Sequence, residues 1–162
     1  MIARNYFLIF LKTRENKIKF VKKIIMYPEE ICKPMREDLT NVGFLEMKNV
    51  NDVETVLNKK EGTVLVMVNS VCGCAAGNAR PAVKMTTTFS SKPDVFATVF
   101  AGQDIGATAK AREYMSPYPP SSPAIALFKD GNLVHFIERH HIEGRPAEMI
   151  AENLQNAFNE FC

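Results

Sequence analysis

Two cysteines separated by a single glycine, Cys72 and Cys74, form the part of the sequence with the clearest chemistry. Thiols this close in sequence can form a disulfide only through a tight ring over one residue. Such a ring strains the bond and makes it easier to reduce, which suits a redox catalyst better than a structural brace. Gly73 gives the backbone the freedom to close the ring, and a helix beginning at or just after Cys72 would lower the pKa of its thiol. The motif therefore predicts thiol–disulfide exchange.

Metal binding and an inert place in the core are the two other interpretations of this pair. A zinc site needs further ligands, but the sequence has only three histidines, His135, His140 and His141, and no second cysteine pair at zinc-like spacing. The adjacent histidines follow the last predicted strand, where a solvated pair is the simpler interpretation. Burial is disfavoured because the turn around the cysteines consists of small residues. Redox catalysis is favoured, and the other two interpretations stay open.

The remaining cysteines, Cys32 and Cys162, stand apart from the motif. Cys32 falls in the first predicted helix, and Cys162 is the last residue of the sequence. Neither has a neighbour at a spacing typical of metal ligands. Cys162 is either a free thiol open to mixed disulfides or an incidental residue.

A predicted strand directly before the motif would position it. Thr63–Asn69 (TVLVMVN) is a continuous apolar and β-branched run, which is typical of a strand buried on both faces. In open α/β sheets, chemistry collects at the carboxyl ends of the strands. Cys72 and Cys74 are therefore expected at the functional edge of the sheet.

Strand-like and helix-like segments alternate along the rest of the chain. Pro28 begins the first helix, and Asp130-Gly131 marks a hairpin turn near the end. The expected helices cover residues 28–40, 51–60, a stretch ending near 89, 104–115 and 146–161, and the expected strands cover residues 43–48, 63–69, 95–101, 124–128 and 133–137. Helical crossovers imply parallel pairing, and the hairpin adds antiparallel edges. The predicted fold class is α/β, a mixed sheet with helices on both faces, preceded by an N-terminal helix.

Composition and charge exclude several classes of protein. The 162-residue chain is 46% hydrophobic and 23% charged, which is close to the globular average and excludes a wholly disordered or fibrous chain. Its net charge of +2 is too small to indicate a nucleic-acid partner. We therefore expect a single globular domain that binds neither nucleic acid nor a membrane.

The first 25 residues differ in composition from the remainder. They carry seven Lys and Arg residues against one Glu, a net charge of +6. Their longest apolar run, residues 6–11, is too short for a membrane span or a secretory signal. Three interpretations remain: a basic arm, a targeting remnant, or sequence ahead of a true start at Met26. We expect a domain of residues 26–162 and a basic leader of residues 1–25 that contributes neither to its core nor to its chemistry.

The sequence resembles the bacilliredoxins, a thioredoxin-like family with a Cys-Gly-Cys site. The stretches that carry the resemblance are NSVCGCAAGNARPA (residues 69–82), VFAGQDIGATAKAREY (residues 99–114), PSSPAIALFKDGNLVHFIERHHIEG (residues 120–144) and PMREDLTNVGF (residues 34–44). The resemblance implies a thioredoxin-like fold and a cytoplasmic enzyme that removes bacillithiol from proteins bearing it as a mixed disulfide. Activity as a protein disulfide isomerase or reductase is also associated with the family.

The same resemblance implies roles for individual residues. Cys72 matches the attacking cysteine and Cys74 the resolving one, with Gly73 between them. Pro123 matches the cis-proline that faces the cysteines in thioredoxin-like folds, with Ser122 before it, so these residues are expected to position the substrate. No tightly bound cofactor and no metal are expected. The expected co-substrate is a low-molecular-weight thiol of the bacillithiol type, and the expected partners are S-thiolated client proteins, that thiol and its reductase.

Two departures from thioredoxin itself favour small thiols as substrates. Val71 stands where thioredoxins carry a tryptophan, and Val66 stands where they carry a buried carboxylate. Without that internal base, exchange with a small thiol that trades protons with solvent is easier to reconcile with the site than dithiol reduction of protein disulfides. A non-enzymatic carrier that passes Cu(I) or Zn(II) from the two cysteines to a partner remains the alternative from another functional class.

Overall fold

The computed structural model describes the backbone of residues 7–12 and 18–23, and residues 26–162 in full. The strands are β1 (Phe7–Lys12), β2 (Ile18–Lys23), β3 (Leu45–Glu46), β4 (Thr63–Asn69), β5 (Val95–Phe100), β6 (Ala124–Lys129) and β7 (Asn132–Ile137). The helices are α1 (Glu29–Thr40), α2 (Val50–Leu57), α3 (Arg80–Thr86), α4 (Ile105–Tyr114), α5 (Arg139–Ile142) and α6 (Ala147–Phe161), and a π-helical turn, Ala75–Ala79, precedes α3. Among these described residues, no helix combines the length and the apolar character needed to cross a membrane.

The leader contains two strands, β1 and β2, which pair antiparallel with Phe10 opposite Phe20. Neither strand is predicted from the sequence, although both segments contain the aromatic and β-branched residues that strands favour. β1 is a short continuous apolar run without alternation, and in β2 basic residues interrupt the apolar ones. Residues 1–6, 13–17 and 24–25 lie outside the described residues. The expectation that the leader contributes neither to the core nor to the chemistry therefore stays a prediction.

Five strands form the main sheet in the order β3-β5-β4-β6-β7. β4 lies at the centre, parallel to β5 and antiparallel to β6, and β6 pairs antiparallel with β7. β4 is buried along its whole length, as its continuous apolar sequence predicts. The predicted mixed sheet, with parallel strands joined by helices and a final antiparallel hairpin, is confirmed.

Helices cover both faces of this sheet, as predicted. On one face, α3 and α6 pack over Leu65 and Met67 of β4. Phe158 of α6 is buried in the same cluster. On the other face, α2 and α4 pack over Val66 and Val68. Alternate side chains of β4 thus enter two separate cores, which fixes the strand rigidly between them.

The structure corrects three local predictions. β3 spans only Leu45–Glu46, where the alternating pattern predicts six residues. The helix expected at residues 51–60 spans Val50–Leu57, and its N-cap is Asn49, which forms a reciprocal capping box with Asp52. A short helix, α5, follows β7 where a loop is expected.

The register between strands brings three chain segments together at one edge of the sheet. Val68, next to the last residue of β4, lies opposite Ala124 at the start of β6. Ile125, the next residue of β6, lies opposite Ile137 at the end of β7. The chain therefore leaves β4 towards Cys72, enters β6, and leaves β7 towards α5 at the same edge.

Candidate active site

Cys72 lies at the start of the helix that follows β4. Its carbonyl oxygen accepts hydrogen bonds from the backbone N–H groups of Ala75 and Ala76, each 3.1 Å long. Helical backbone begins at Gly73 and continues through the π-helical turn into α3. Cys72 and Cys74 are half-buried free thiols. The pair thus lies where the order of strand and helix predicts, at the carboxyl end of the central strand.

Hydrogen-bond donors converge on the Cys72 sulfur. The backbone N–H of Ala75 donates to it at 3.3 Å, and the Ser70 hydroxyl lies 3.3 Å away. Burial alone would raise the pKa of the Cys72 thiol. Hydrogen bonds from the Cys74 thiol and from these two groups outweigh burial, and the charge of Arg139 acts in the same direction. The pKa of Cys72 is therefore below the ordinary value, and its thiolate is favoured.

The Cys74 thiol has the opposite pKa shift. Burial raises the pKa of Cys74, and its hydrogen bond to Cys72 and the negative charge on that sulfur raise it further, to about 11. Of the two thiols, Cys72 is therefore the more acidic, and the Cys74 thiol donates a hydrogen bond to its sulfur. The pair thus combines a thiol with a lowered pKa and a neighbour that retains its proton to higher pH.

Gly73 leaves the outer face of this turn open. It is exposed, and a Cβ added to it would meet no described atom within 4 Å. Its φ lies outside the left-handed region that favours glycine. Glycine at this position therefore leaves the two free thiols accessible. The backbone conformation there does not itself require glycine.

Ser122 and Pro123 stand at the entry to β6, on the edge of the sheet where Cys72 lies. Their peptide bond is cis, as the family resemblance implies, and Pro123 is buried. The half-buried Ser122 accepts a hydrogen bond at its carbonyl oxygen from Arg139 Nη1, at 3.2 Å. A second cis bond, between Ser116 and Pro117, lies earlier in the same loop and is not predicted from the sequence.

A buried polar cluster lies behind Ser70. Arg80 of α3 donates from Nη1 to the Ser70 carbonyl oxygen at 3.3 Å and to Asn69 Oδ1 at 3.2 Å. Asn69 Oδ1 also accepts from the Ser70 backbone N–H at 2.8 Å. Arg80 Nε pairs with Asp38 of α1 at 3.0 Å, and Lys84 Nζ pairs with the same carboxylate at 2.8 Å. The cluster ties α1 and α3 to the segment that leads into the cysteine motif.

The sequence analysis does not single out Arg80 or Arg139, although each carries a recognisable pattern. Arg80 lies three residues before Val83 on the buried face of α3, where a charged side chain needs a buried partner. Arg139 is the second residue after β7, at the edge of the sheet that holds the cysteines. Neither pattern indicates a location near the cysteines until the strand order is known.

The histidines do not join the cysteines. His140 and His141 are exposed, with ring centroids 3.8 Å apart, so the predicted solvated pair is confirmed. His135 Nε2 lies 2.8 Å from Asn153 Oδ1. In the described part of the chain, no three His, Cys, Asp or Glu side chains are grouped so that they could hold a metal ion. A metal carrier would therefore have to rely on the two cysteines.

Val66 and Val71 occupy the positions at which the sequence departs from thioredoxin. Val66 is fully buried among the apolar side chains of the α2 and α4 face, and Val71 is half-buried. The strand position that holds a carboxylate in thioredoxin is thus part of an apolar core. The thiol that forms a hydrogen bond with the Cys72 sulfur is that of Cys74.

Comparison with known sequences identifies relatives along nearly the whole described domain. A model of the protein family described as disulphide isomerase matches residues 27–162. A bacilliredoxin of Cytophaga hutchinsonii is 57% identical over 83% of this chain and 99% of its own length. A bacilliredoxin of Halalkalibacterium halodurans is 51% identical over 84% of this chain and 94% of its own length.

Solved structures with this fold share little sequence with the chain. A thioredoxin variant from Halobacterium salinarum matches with a TM-score of 0.54 and 15% identity, over 74% of this chain and 91% of its own. The reduced thioredoxin pre-protein of Schistosoma mansoni matches with a TM-score of 0.52 and 20% identity, over 74% of this chain and 98% of its own. These likenesses establish a thioredoxin-like fold. With the sequence matches, they show that the chain belongs to the bacilliredoxin family and is a thioredoxin-like redox protein.

Proposed function

We propose that this protein is a thiol–disulfide oxidoreductase that resolves mixed disulfides between proteins and a low-molecular-weight thiol of the bacillithiol type. The observation that carries the proposal is the opposite pKa shifts of the two cysteines, lowered for Cys72 and raised to about 11 for Cys74. A two-step exchange requires a reactive thiolate beside a thiol that retains its proton until the second step. The relatives named bacilliredoxin support this choice of substrate class.

In the first step, the Cys72 thiolate attacks the small-thiol sulfur of the mixed disulfide on the client protein. A disulfide forms between Cys72 and the small thiol as the original disulfide breaks, and the client cysteine leaves as a thiolate that takes a proton from solvent. The client is thereby reduced and Cys72 is oxidised. The open face of Gly73 supports this step because it leaves room for a bulky client.

Two routes complete the exchange. A second small thiol can attack the small-thiol sulfur carried on Cys72, which releases a symmetrical disulfide and restores the Cys72 thiolate. Alternatively, Cys74 loses its proton and attacks Cys72, forming a Cys72–Cys74 disulfide and releasing the small thiol. Once Cys72 is in a disulfide it carries no charge, so two of the causes that raise the pKa of Cys74 are removed. Formation of the mixed disulfide thus prepares Cys74 to resolve it.

We assign substrate positioning to Gly73, Ser122 and Pro123. The strand register that brings the end of β4 next to the start of β6 supports this assignment. An extended client segment that reaches Cys72 across this edge would pass the Ser122–Pro123 peptide.

Activity as a protein disulfide isomerase or reductase is the second candidate. The description of the matching family as disulphide isomerase favours it. Reactivation of a substrate protein with scrambled disulfides separates the two functions. An isomerase restores the scrambled substrate in the absence of any small thiol, whereas the proposed enzyme acts on it only when the small thiol is present.

A CxC metal carrier is the alternative from a different functional class. Copper or zinc in stoichiometric amounts, in protein purified under reducing conditions, would favour the carrier. The proposed enzyme has no tightly bound cofactor, and its partners are S-thiolated client proteins, the small thiol and the reductase of that thiol. We place it in the cytoplasm, where thiols are kept reduced, without a nucleic-acid or membrane partner.

Mass spectrometry of the Cys74→Ser protein, isolated from cells treated with an oxidant, tests the proposal directly. Cys72 in this variant should carry one small thiol as a mixed disulfide, because resolution by Cys74 is removed and the oxidant depletes the free small thiol that would otherwise release it. The Cys72→Ser protein, isolated in the same way, is the matched control and should carry none at position 74. An unmodified Cys72 under these conditions would contradict the proposal.

A further inference from the structure

Arg139, the first residue of α5, is a cation that acts on both active-site sulfurs. Its charge lowers the pKa of Cys72 and that of Cys74. Its side chain is 43% exposed, and its Nη1 donates to the Ser122 carbonyl oxygen on the edge of the sheet that holds Cys72. A small molecule joined to Cys72 through a disulfide would therefore lie within the field of a positive charge.

The contacts of Arg139 use only part of the hydrogen-bond donor capacity of its guanidinium. Nη1 donates to the Ser122 carbonyl oxygen at 3.2 Å. Nε and Nη2 each lie 3.4 Å from a carboxylate oxygen of Glu143, longer than the ~2.7–2.9 Å of a strong charge-assisted hydrogen bond. These contacts engage three of the five N–H groups of the side chain. The Glu143 side chain is itself 60% exposed, so a carboxylate from a ligand can compete with it for the guanidinium fork.

We propose that Arg139 determines specificity for the small thiol by binding a carboxylate of that thiol while it is joined to Cys72. The substrate class is then a low-molecular-weight thiol that carries a carboxylate, in preference to neutral or cationic thiols. The inference rests on the proposed function, because it requires that small disulfides react at Cys72.

Arg139 has two simpler roles that involve no ligand. Its charge favours the Cys72 thiolate, and its hydrogen bond positions the Ser122 carbonyl. Both roles affect the attack of Cys72 on every disulfide to the same extent, whatever charge the disulfide carries. Recognition of a carboxylate by the Arg139 cation, in contrast, favours disulfides that bear a negative charge over neutral and cationic ones. The charge of the substrate is therefore the variable that separates recognition from the simpler roles.

Three symmetrical disulfides of nearly equal length provide this variable: dithiodipropionate, which is anionic, hydroxyethyl disulfide, which is neutral, and cystamine, which is cationic. In the reduced Cys74→Ser protein, the Cys72 thiolate attacks one sulfur, forms one new disulfide and releases one thiolate, so each reaction stops after a single exchange. Rate constants are measured across pH and compared at equal fractions of Cys72 thiolate, which removes any change in the pKa of Cys72.

Arg139→Gln should lower the rate constant for dithiodipropionate by about fivefold more than that for hydroxyethyl disulfide, the size of one partly exposed ion pair. Cystamine should become relatively faster. Arg139→Lys keeps the charge and should retain part of the preference for the anion. Glu143→Gln removes the competing carboxylate and should increase that preference. Arg145→Gln, which removes an equal charge from an exposed position nearby, is the matched control and should change all three rates alike.

Equal changes in all three rates in both Arg139 variants would overturn the assignment, because stabilisation of the Cys72 thiolate and positioning of the Ser122 carbonyl predict that pattern. Unchanged selectivity in Glu143→Gln would count against it in the same way. A parent protein in which Cys72 reacts with none of the three disulfides would instead contradict the proposed function. The two failures are therefore distinguishable.

Discussion

Two regions of the molecule place a thiol near an arginine, the active-site turn with Cys72 and helix α1 with Cys32. In the active-site turn, the pKa of Cys72 is lowered despite burial, by hydrogen bonds to its sulfur and by the charge of Arg139. In α1, burial raises the pKa of Cys32, and two neighbouring carboxylates raise it further against the opposing charge of Arg36. The same residue type beside the same kind of cation thus has opposite acidity.

The difference shows that a neighbouring cation does not by itself make a cysteine reactive. Arg36 is engaged by Asp104 at 2.7 Å and by Glu46 at 2.5 Å, so its charge is largely neutralised by carboxylates. The Cys72 sulfur instead accepts a hydrogen bond from the Ala75 N–H at the start of a helix and lies 3.3 Å from the Ser70 hydroxyl. Polar hydrogens close to the sulfur thus distinguish the thiol with the lowered pKa from the thiol with the raised one.

The largest effect that the comparison predicts is on exchange itself. Cys72→Ser should abolish removal of a small thiol from a model S-thiolated protein, because no other thiolate is stabilised at the site. Cys74→Ser should perform the first step and accumulate as the mixed disulfide. Cys32→Ala is the matched control and should exchange at the parent rate. Release of the small thiol, followed by mass spectrometry, measures all three variants, and equal residual activity in the two motif variants would break the assignment of roles.

The next effect concerns two buried arginines, Arg36 and Arg80, whose side chains are 8% and 5% exposed. Arg36→Met should lower the free energy of unfolding by about 3–5 kcal/mol, because it leaves Asp104 and Glu46 without their buried cation. Arg80→Met should cost less, about 2 kcal/mol, because the partly exposed Asp38 keeps its pair with a lysine. Urea unfolding measures both losses.

These two variants should separate stability from activity. Of the two arginines, Arg80 contacts the segment that carries Ser70, so Arg80→Met should also slow exchange by roughly tenfold, the low end of the value of one hydrogen bond with a charged group. Arg36→Met should leave the exchange rate of the folded protein unchanged. A slower exchange in Arg36→Met than in Arg80→Met would mean that α1, and not the cluster behind Ser70, positions the cysteine motif.

A smaller effect is expected from single donors to the Cys72 sulfur. Ser70→Ala and Cys74→Ala each remove one hydrogen bond to the thiolate and should raise the pKa of Cys72. A higher pKa leaves a smaller fraction of Cys72 as thiolate near neutral pH. Alkylation of Cys72 at that pH should therefore slow by about three- to tenfold. Cys74→Ser retains a hydroxyl donor and should slow less than Cys74→Ala. Identical alkylation rates in Cys74→Ser and Cys74→Ala would mean that a hydrogen bond from residue 74 does not lower the pKa of Cys72.

The smallest effect is expected from the leader. A chain beginning at Met26 should keep its melting temperature within a few degrees and its exchange rate unchanged, because both regions compared above lie within residues 26–162. A loss of more than about 2 kcal/mol in unfolding free energy, the size of one well-buried aliphatic side chain, would show that the leader is part of the fold.

The sequence predicts the central part of this fold because its patterns there are local. The apolar run of β4, the small residues around Cys72 and the helix that follows are each recognisable within a few residues. Arg80 and Arg139 are not recognisable in this way, because their importance depends on which strands pair and where those strands end. The hairpin in the leader is not predicted for a different reason: β1 is a short continuous apolar run without alternation, and the basic residues of β2 interrupt its apolar ones.

The two cysteines of one motif have opposite pKa shifts, and the pH dependence of alkylation tests this difference most directly. The reduced protein is treated briefly with iodoacetamide across a range of pH, and modification of each cysteine is read by peptide mass spectrometry. The rate at Cys72 should rise with pH and level off at a pKa below the ordinary cysteine value, while Cys74 stays largely unmodified until the pH approaches about 11. Equal midpoints, or earlier modification of Cys74, would contradict the account.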